Sequence, residues 1–380
     1  MAVVGTRPEA IKMAPLIARL RASGTAVRVL STGQHTTVVS DVLTSFGLSP
    51  EVTLGPWPDG RTLGRLLADV EAGTTEHLNQ ADVAAVVVQG DTTSALAAAL
   101  AAFNARVPVV HLEAGLRTAD LHNPFPEEGN RRLIGQIADL HLAPTERARA
   151  ALVREGVAAE RIAVTGNTVI DALLTTVAGL APATEDAGSM IDGGRRGHVL
   201  VTAHRRESWG AAFQGILDAV RHLATTHRRQ RFLWAAHPNP ELKGRVLAAM
   251  DGLDNVQVVP PLPYRDMVAA LRDASVVLTD SGGLQEEAPS LGKPVLVMRA
   301  STERPEAVDA GCARLIGTGR EAIVGAVREL LLEDDDYRRM SAVANPYGDG
   351  RAAEYAAREI LEHFPAAAGR PSVGVTVGAS

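Results

Sequence analysis

A chain of 380 residues, 46% of them apolar, is long enough to bury two cores, so two domains are expected. A formal charge of −6 and an aromatic content of only 3% exclude the basic surface and the stacking platforms of a nucleic-acid binder. The single cysteine, Cys312, excludes an intrachain disulfide and a cysteine-based metal cluster and fits a reducing cytosol.

No apolar run approaches the ~18 residues that span a bilayer. The start, MAVVGTRPEA, lacks the basic and apolar regions of a signal peptide, so a cytoplasmic protein without membrane association is expected. Strands are predicted at 26–30, 84–89, 107–112, 198–202, 231–236, 275–279 and 294–298. Helical patterns are predicted at 8–21, 93–103, 209–223 and 264–272. Short apolar runs alternating with longer helical patterns are the rhythm of βαβ units around a buried parallel sheet. Two successive sets of such units predict an α/β fold of two doubly wound, Rossmann-like domains. The stretch 182–197, rich in Gly, Asp and Arg, reads either as the interdomain linker or as a surface loop inside the second domain, with the crossing then near Gly166–Asn167. We place the boundary at 168/169, with the second domain running to 351, a C-terminal helix near 352–364 returning to the first, and a flexible tail at 365–380. A short repeat occurs once in each half, TRPEA at 6–10 and ERPEA at 303–307.

In doubly wound folds ligands bind beyond the carboxyl ends of the strands, and five predicted strand ends are unusually polar: GTRPE (5–9), GDTTS (90–94), HLEAGLRT (111–118), TAHRRES (202–208) and DSGGLQEE (280–287). Arg7 and Lys12 sit at the first of these, either as solvated first-turn cations or as groups reaching a ligand. Asp91 and Glu113 each follow a buried β run and emerge at the same edge. Singly, Asp91 reads as a helix cap and Glu113 as a partner for Arg117; together they suit general base work and stabilisation of a cationic sugar. The loop NPFPEEGNRR (123–132) adds Glu127 and Glu128 beside Arg131 and Arg132. His204 follows an apolar run, and Arg205 and Arg206 precede a helix start whose N–H groups favour an anion; the other reading is a surface arginine pair with Ser208 as the helix cap. In the fifth segment the helix should run to Leu291 and stop at Gly292. Gly282 and Gly283 with Ser281 suit the phosphate of a nucleotide there, or the two acids that follow simply favour the helix N-terminus. Glu286 and Glu287, ~100° apart around the helix, must have different roles, one of them fit for ribose hydroxyls. No dinucleotide fingerprint, P-loop or nucleophile elbow is present, and no histidine pair has metal-ligand spacing, so neither a cofactor nor a metal is expected.

GTRPEAIKMAPL, STGQH, GDTTSALAAALAAF, HLEAGLRT, PFPEEGNRR, GNTVIDAL, TAHRRES, HPNP, TDSGGLQEEAPSLGKPVLVMR, TERPEAV and NPYGDG together resemble the non-hydrolysing UDP-N-acetylglucosamine 2-epimerases. They do so in the family's order, from residue 5 to about 350. The resemblance implies a GT-B-like fold with the active site in the cleft between two Rossmann-like domains, a homodimer, and no cofactor. It implies interconversion of UDP-GlcNAc and UDP-ManNAc by elimination of UDP to 2-acetamidoglucal and re-addition. The alternatives are a hydrolysing 2-epimerase and a GT-B glycosyltransferase. By motif, Asp91, Glu113, Glu127 and His204 match catalytic positions, while Arg7, Lys12, Arg205, Ser281, Gly282, Gly283, Glu287 and Arg304 are the UDP-binding candidates. Gln34, His35, Arg61 and His237 match the region where many members bind a second UDP-GlcNAc. Thr37 and PWPDG (56–60) depart from the family pattern there.

Overall fold

The computed structural model describes residues 1–55, 57, 60–118, 120–182, 197–203 and 210–365. The chain divides into two units, Met1–Thr168 with Arg351–Ser380, and Val169–Gly350. It therefore passes from one to the other at Thr168–Val169, and most of the break at 182–197 lies outside the described residues, as does the tail from 366.

The first unit runs β1 (Ala2–Val4), α1 (Arg7–Ala22), β2 (Val29–Ser31), α2 (Thr36–Ser45), β3 (Val52–Thr53), α3 (Leu63–Asn79), β4 (Val86–Gln89), α4 (Thr93–Asn104), β5 (Val109–Leu112), α5 (Glu127–Ile137), β6 (Leu140–Ala143), α6 (Glu146–Arg154) and β7 (Ile162–Val164). The helix α7 (Thr168–Ala178) carries the chain across. The second unit continues with β8 (His198–Thr202), α8 (Ala211–Thr226), β9 (Arg231–Ala235), α9 (Pro240–Met250), β10 (Val256–Val259), α10 (Tyr264–Asp273), β11 (Ala274–Thr279), α11 (Gly282–Glu287), β12 (Val295–Val297), α12 (Pro305–Ala310), β13 (Ala313–Leu315), α13 (Arg320–Leu332) and α14 (Asp334–Ser341). Finally α15 (Ala352–His363) returns to the first unit.

Every strand pairing is parallel. The first sheet has the order β3-β2-β1-β4-β5-β6-β7 and the second β10-β9-β8-β11-β12-β13. Each is a doubly wound sheet whose order reverses at one point, between β1 and β4 in the first and between β8 and β11 in the second. The expected α/β architecture of two Rossmann-like units holds.

The central strands are largely apolar because helices cover both faces of each sheet. Val86, Val88, Val109 and Leu112 are 0–1% exposed, as are Val276, Val277 and Leu278. In α4, TSALAAALAAFN, alanine at most inward positions lets the helix lie close to the sheet, and Ala97, Ala98, Ala99, Ala101 and Ala102 are fully buried. The second core is bulkier. Phe213 of α8 meets Trp234 of β9 edge to face, with ring centroids 6.4 Å apart, a geometry worth about 1 kcal/mol beyond area burial. Among the described residues no helix is long and apolar enough to cross a membrane.

Candidate active site

In the first unit the order reversal brings together the turns that follow β1 and β4, with the end of β5 alongside. Glu113, directly after β5, turns into the left-handed region at φ 63°, a conformation that costs a non-glycine residue about 1–3 kcal/mol and collects at functional sites. Its carboxylate is buried, with the residue 8% exposed. Lys12 Nζ donates to its Oε1 at 2.5 Å, Asn167 Nδ2 donates to the same oxygen at 3.0 Å, and Gln89 Nε2 donates to Oε2. A buried ion pair holds only when its remaining lone pairs are also met, and the two amides do that. Arg117 instead forms a double hydrogen bond with Glu155 at 2.8 and 2.7 Å, so it is not the partner of Glu113.

Asp91 is the next carboxylate. It does not cap α4, whose N-cap is Thr92, accepting from Ala95 N at 3.0 Å. Its side chain pairs with Arg131 at 2.7 Å, and its carbonyl accepts from Asn130 Nδ2 at 2.9 Å. A Cβ placed on Gly90, the residue before Asp91, would lie 3.7 Å from Glu113 Oε2.

The adjacent acids of α5 separate cleanly. Glu128 is fully buried and accepts from Arg132 Nε at 2.7 Å and Thr118 N at 3.0 Å, with Arg131 at 3.3 Å. Glu127, the first residue of α5, has its Oε2 buried without a hydrogen-bond partner among the described residues. It lies one helical turn before Arg131 and hence on the same face as the arginine that holds Asp91. Glu128 is filled with donors, whereas Glu127 keeps one oxygen without a partner among the described residues.

Several residues of this cluster carried no assignment in the sequence. Glu9 takes Gly5 N and Thr6 N on Oε2, both at 2.6 Å, and the Thr92 hydroxyl on Oε1 at 2.5 Å. Its burial pushes its pKa upward against these hydrogen bonds. His111 Nε2 bonds the Gly90 carbonyl at 2.7 Å, and burial lowers its pKa to about 4, so the ring is neutral and donates from Nε2. The signals were present but local meaning was not: Glu9 stands three residues after Thr6, a helix-start spacing, and Asn167 lies in the GNT turn.

Of the remaining candidates in this unit, Arg7 opens α1. Gln34 Oε1 accepts from Ser94 at 2.7 Å, and His35 is exposed ahead of α2. Arg61 lies over the Trp57 ring at 4.0 Å and pairs with Asp69.

In the second unit the reversal lies between β8 and β11. His204 and Arg205, which follow β8, lie outside the described residues. After β11, Ser281 is the N-cap of α11, with its own N–H donated to Thr279 Oγ1 at 2.9 Å. The helix continues as a 3₁₀ turn over Ala288–Leu291 and ends at Gly292, φ 62°. Gln285 braces the turn, donating to the Ser281 carbonyl at 3.1 Å and accepting from Thr302 at 2.6 Å.

Glu286 and Glu287 do take different roles. Glu286 is 1% exposed and pairs with Arg304 Nε, so Arg304, a UDP-binding candidate, spends charge inside the protein, with Glu303 at 3.4 Å as a further partner. Glu287 accepts from the Tyr264 hydroxyl at 3.2 Å. Among the described residues a Cβ on Gly283 would meet nothing nearer than Glu287 Oε2 and Ser281 Oγ, both at 3.9 Å. His237 accepts from Asn239 N through Nδ1 at 3.0 Å and belongs to this unit, while Gln34, His35 and Arg61 belong to the first.

The sequence profile described as UDP-N-acetylglucosamine 2-epimerase matches residues 18–361. The UDP-N-acetylglucosamine 2-epimerase of Escherichia coli strain K12 is 44% identical over 359 residues, which cover 93% of this chain and 95% of that protein. The crystal structure of UDP-GlcNAc 2-epimerase from Neisseria meningitidis bound to UDP-GlcNAc matches with a TM-score of 0.87 at 37% identity, over 95% of this chain and 99% of that one. The enzyme from Methanocaldococcus jannaschii in complex with UDP-GlcNAc and UDP matches with a TM-score of 0.79 at 30% identity, again over 95% and 99%. The chain belongs to the UDP-N-acetylglucosamine 2-epimerase family.

Proposed function

We propose that the protein interconverts UDP-GlcNAc and UDP-ManNAc by eliminating UDP across C1–C2 and adding it back, without releasing the sugar to water. The observation that carries this reading is the trio of carboxylates on the first unit, each in a different electrostatic state. Glu113 is held by Lys12, Gln89 and Asn167, Asp91 is held by Arg131, and Glu127 keeps one oxygen without a partner among the described residues.

The chemistry needs such a set. The C2 hydrogen of the sugar is weakly acidic, so the C1–O bond must break before or as that proton leaves. The electron pair of C1–O departs with UDP, and the ring passes through oxocarbenium character that carboxylates stabilise. A carboxylate takes the C2 proton to give 2-acetamidoglucal. A proton is then returned to the opposite face of C2, and the UDP oxygen re-forms the bond to C1. Atoms balance with no water consumed.

Arg7, Lys12, His204 and Arg205 supply positive charge and hydrogen bonds to the departing diphosphate. Ser281, Gly282 and Gly283 seat it. Glu287 accepts from the ribose hydroxyls, with Tyr264 orienting it. Incubation with UDP-GlcNAc and separation of the products tests this. The expected outcome is UDP-ManNAc in equilibrium with the starting sugar and a constant total of UDP-sugar. Free ManNAc with stoichiometric UDP would instead establish the hydrolysing reaction.

A further inference from the structure

Asp91 sits on a turn that is tied down on both sides. Before it, His111 bonds the Gly90 carbonyl at 2.7 Å; after it, Thr92 donates to Glu9 at 2.5 Å. Glu9 is 2% exposed and belongs to the first turn of α1, directly after the turn that follows β1. Its second oxygen collects Gly5 N and Thr6 N, each at 2.6 Å. One carboxylate thus bridges the turn that carries Arg7 and the turn that carries Asp91, across the point where the strand order reverses.

Oε2 accepts from two N–H groups and Oε1 from a hydroxyl, contacts that suit the ionised carboxylate. Burial disfavours that form and raises the pKa, which the N–H and O–H donors offset. A buried carboxyl group whose two oxygens are already taken up by the turn after β1 and by Thr92 is placed to link those turns rather than to bind substrate.

We propose that Glu9 is a positioning residue: through Thr92 it sets the height and angle of Asp91 against the substrate. The inference rests on the catalytic reading of Asp91 given above. Displacements near 1 Å at a reacting group cost on the order of a hundredfold in rate, while uniform binding of the nucleotide is left alone. The consequence is a fall in kcat with KM and the affinity for UDP retained.

The test uses Glu9→Gln, Thr92→Val and Thr92→Ser in the full-length protein, with kcat and KM for UDP-GlcNAc, the inhibition constant of UDP, and thermal melts. Glutamine keeps the size of Glu9 but turns one acceptor into a donor facing other donors. Serine keeps the hydroxyl of Thr92 that valine removes. We expect Glu9→Gln and Thr92→Val to lose about tenfold or more in kcat, with KM and the UDP inhibition constant within about twofold, and Thr92→Ser to match the parent. Wild-type kcat in the first two, a loss appearing in KM rather than kcat, or a serine variant as slow as the valine variant would each overturn the proposal. Failure of both Glu9→Gln and Thr92→Val to fold would overturn it too, by assigning the contact to stability alone. An inactive parent protein refutes the epimerase reading itself, and this inference with it. An active parent with fully active variants refutes only the positioning role.

Discussion

Replacing Lys12 by methionine removes the ammonium from Glu113 while keeping most of the side-chain volume. The pair is 2.5 Å apart, with side chains 11% and 6% exposed. Breaking a buried pair by removing one partner costs about 3–5 kcal/mol, because the surviving charge stays in a poor solvent. Gln89 and Asn167 still donate to Glu113 in the variant, which places Lys12→Met near the lower end, about 3 kcal/mol. For a domain of this size that is a fall in Tm of about 6–12 °C. The diagnostic quantity is the cycle with Glu113→Gln. In the double variant no charge is left buried, so it should be more stable than the sum of the single losses by about 1–3 kcal/mol. Urea unfolding of the four proteins gives the number. Additivity within about 0.5 kcal/mol would refute the reasoning, since it would mean that the two charges do not sense each other.

The acids of α5 give the reverse contrast. Glu127→Gln should leave stability within about 0.5 kcal/mol, as expected where no partnered contact is lost, yet abolish epimerisation in a product assay. Glu128→Gln should lose about 1.5–3 kcal/mol in urea unfolding, because a buried charged acceptor of three groups is weakened. Equal stability in both would contradict the division of roles.

Gly115 has φ 90°, and a Cβ there would stand 2.3 Å from the Ala148 carbonyl oxygen. Gly115→Ala should therefore cost at least about 2 kcal/mol and slow the reaction by shifting Glu113 two residues away; an unchanged melt would contradict this.

Acid should also destabilise the fold. Burial lowers the pKa of His111 and His198 to about 4 and that of His141 to about 3. These groups favour folding fully above the unfolded value near 6.5, and that contribution is lost as pH falls toward 4, where the unfolded chain takes protons the buried rings refuse. Glu9, with its raised pKa, has the opposite sign, one group against three. The urea midpoint should fall steadily from pH 6.5 to 4.5, and a flat profile would sink the assignment.

Much of the architecture was readable because strands buried on both faces must be apolar runs. VVVQ, VVHL and ASVVLT are such runs, and the helices beginning at Arg7, Thr93 and Tyr264 start within one residue of their predicted positions. β1, β3, β7 and β13, of two or three residues, went unpredicted, as did the four-residue β6 and β10, whereas the equally short β2 and β12 overlap longer apolar runs that were predicted. The TRPEA and ERPEA repeat carries no topological meaning. The first copy follows β1 at a reversal point, and the second follows β12 away from one.

At the site, Asp91 and Glu113 could be named because they end neighbouring buried runs. What holds them could not. The contacts to Glu113 span 24, 54 and 101 residues of sequence, and Glu9 meets Thr92 across 83. Glutamine, asparagine and threonine at those places have no local signature, and only the parallel pairing of β1, β4 and β5 brings them together. The resemblance singled out Glu127 by motif, but nothing local in the EE pair separates it from Glu128; the structure differs between them in that Glu128 is filled with donors.

The central claim is that the bond to hydrogen at C2 is broken and remade while UDP leaves and returns. Incubating the protein with UDP-GlcNAc in D2O and recording the proton spectrum of the sugar tests it directly. The account predicts deuterium at C2 in both UDP-GlcNAc and UDP-ManNAc, with no free sugar accumulating. Retention of the C2 proton in either product pool at equilibrium would contradict it.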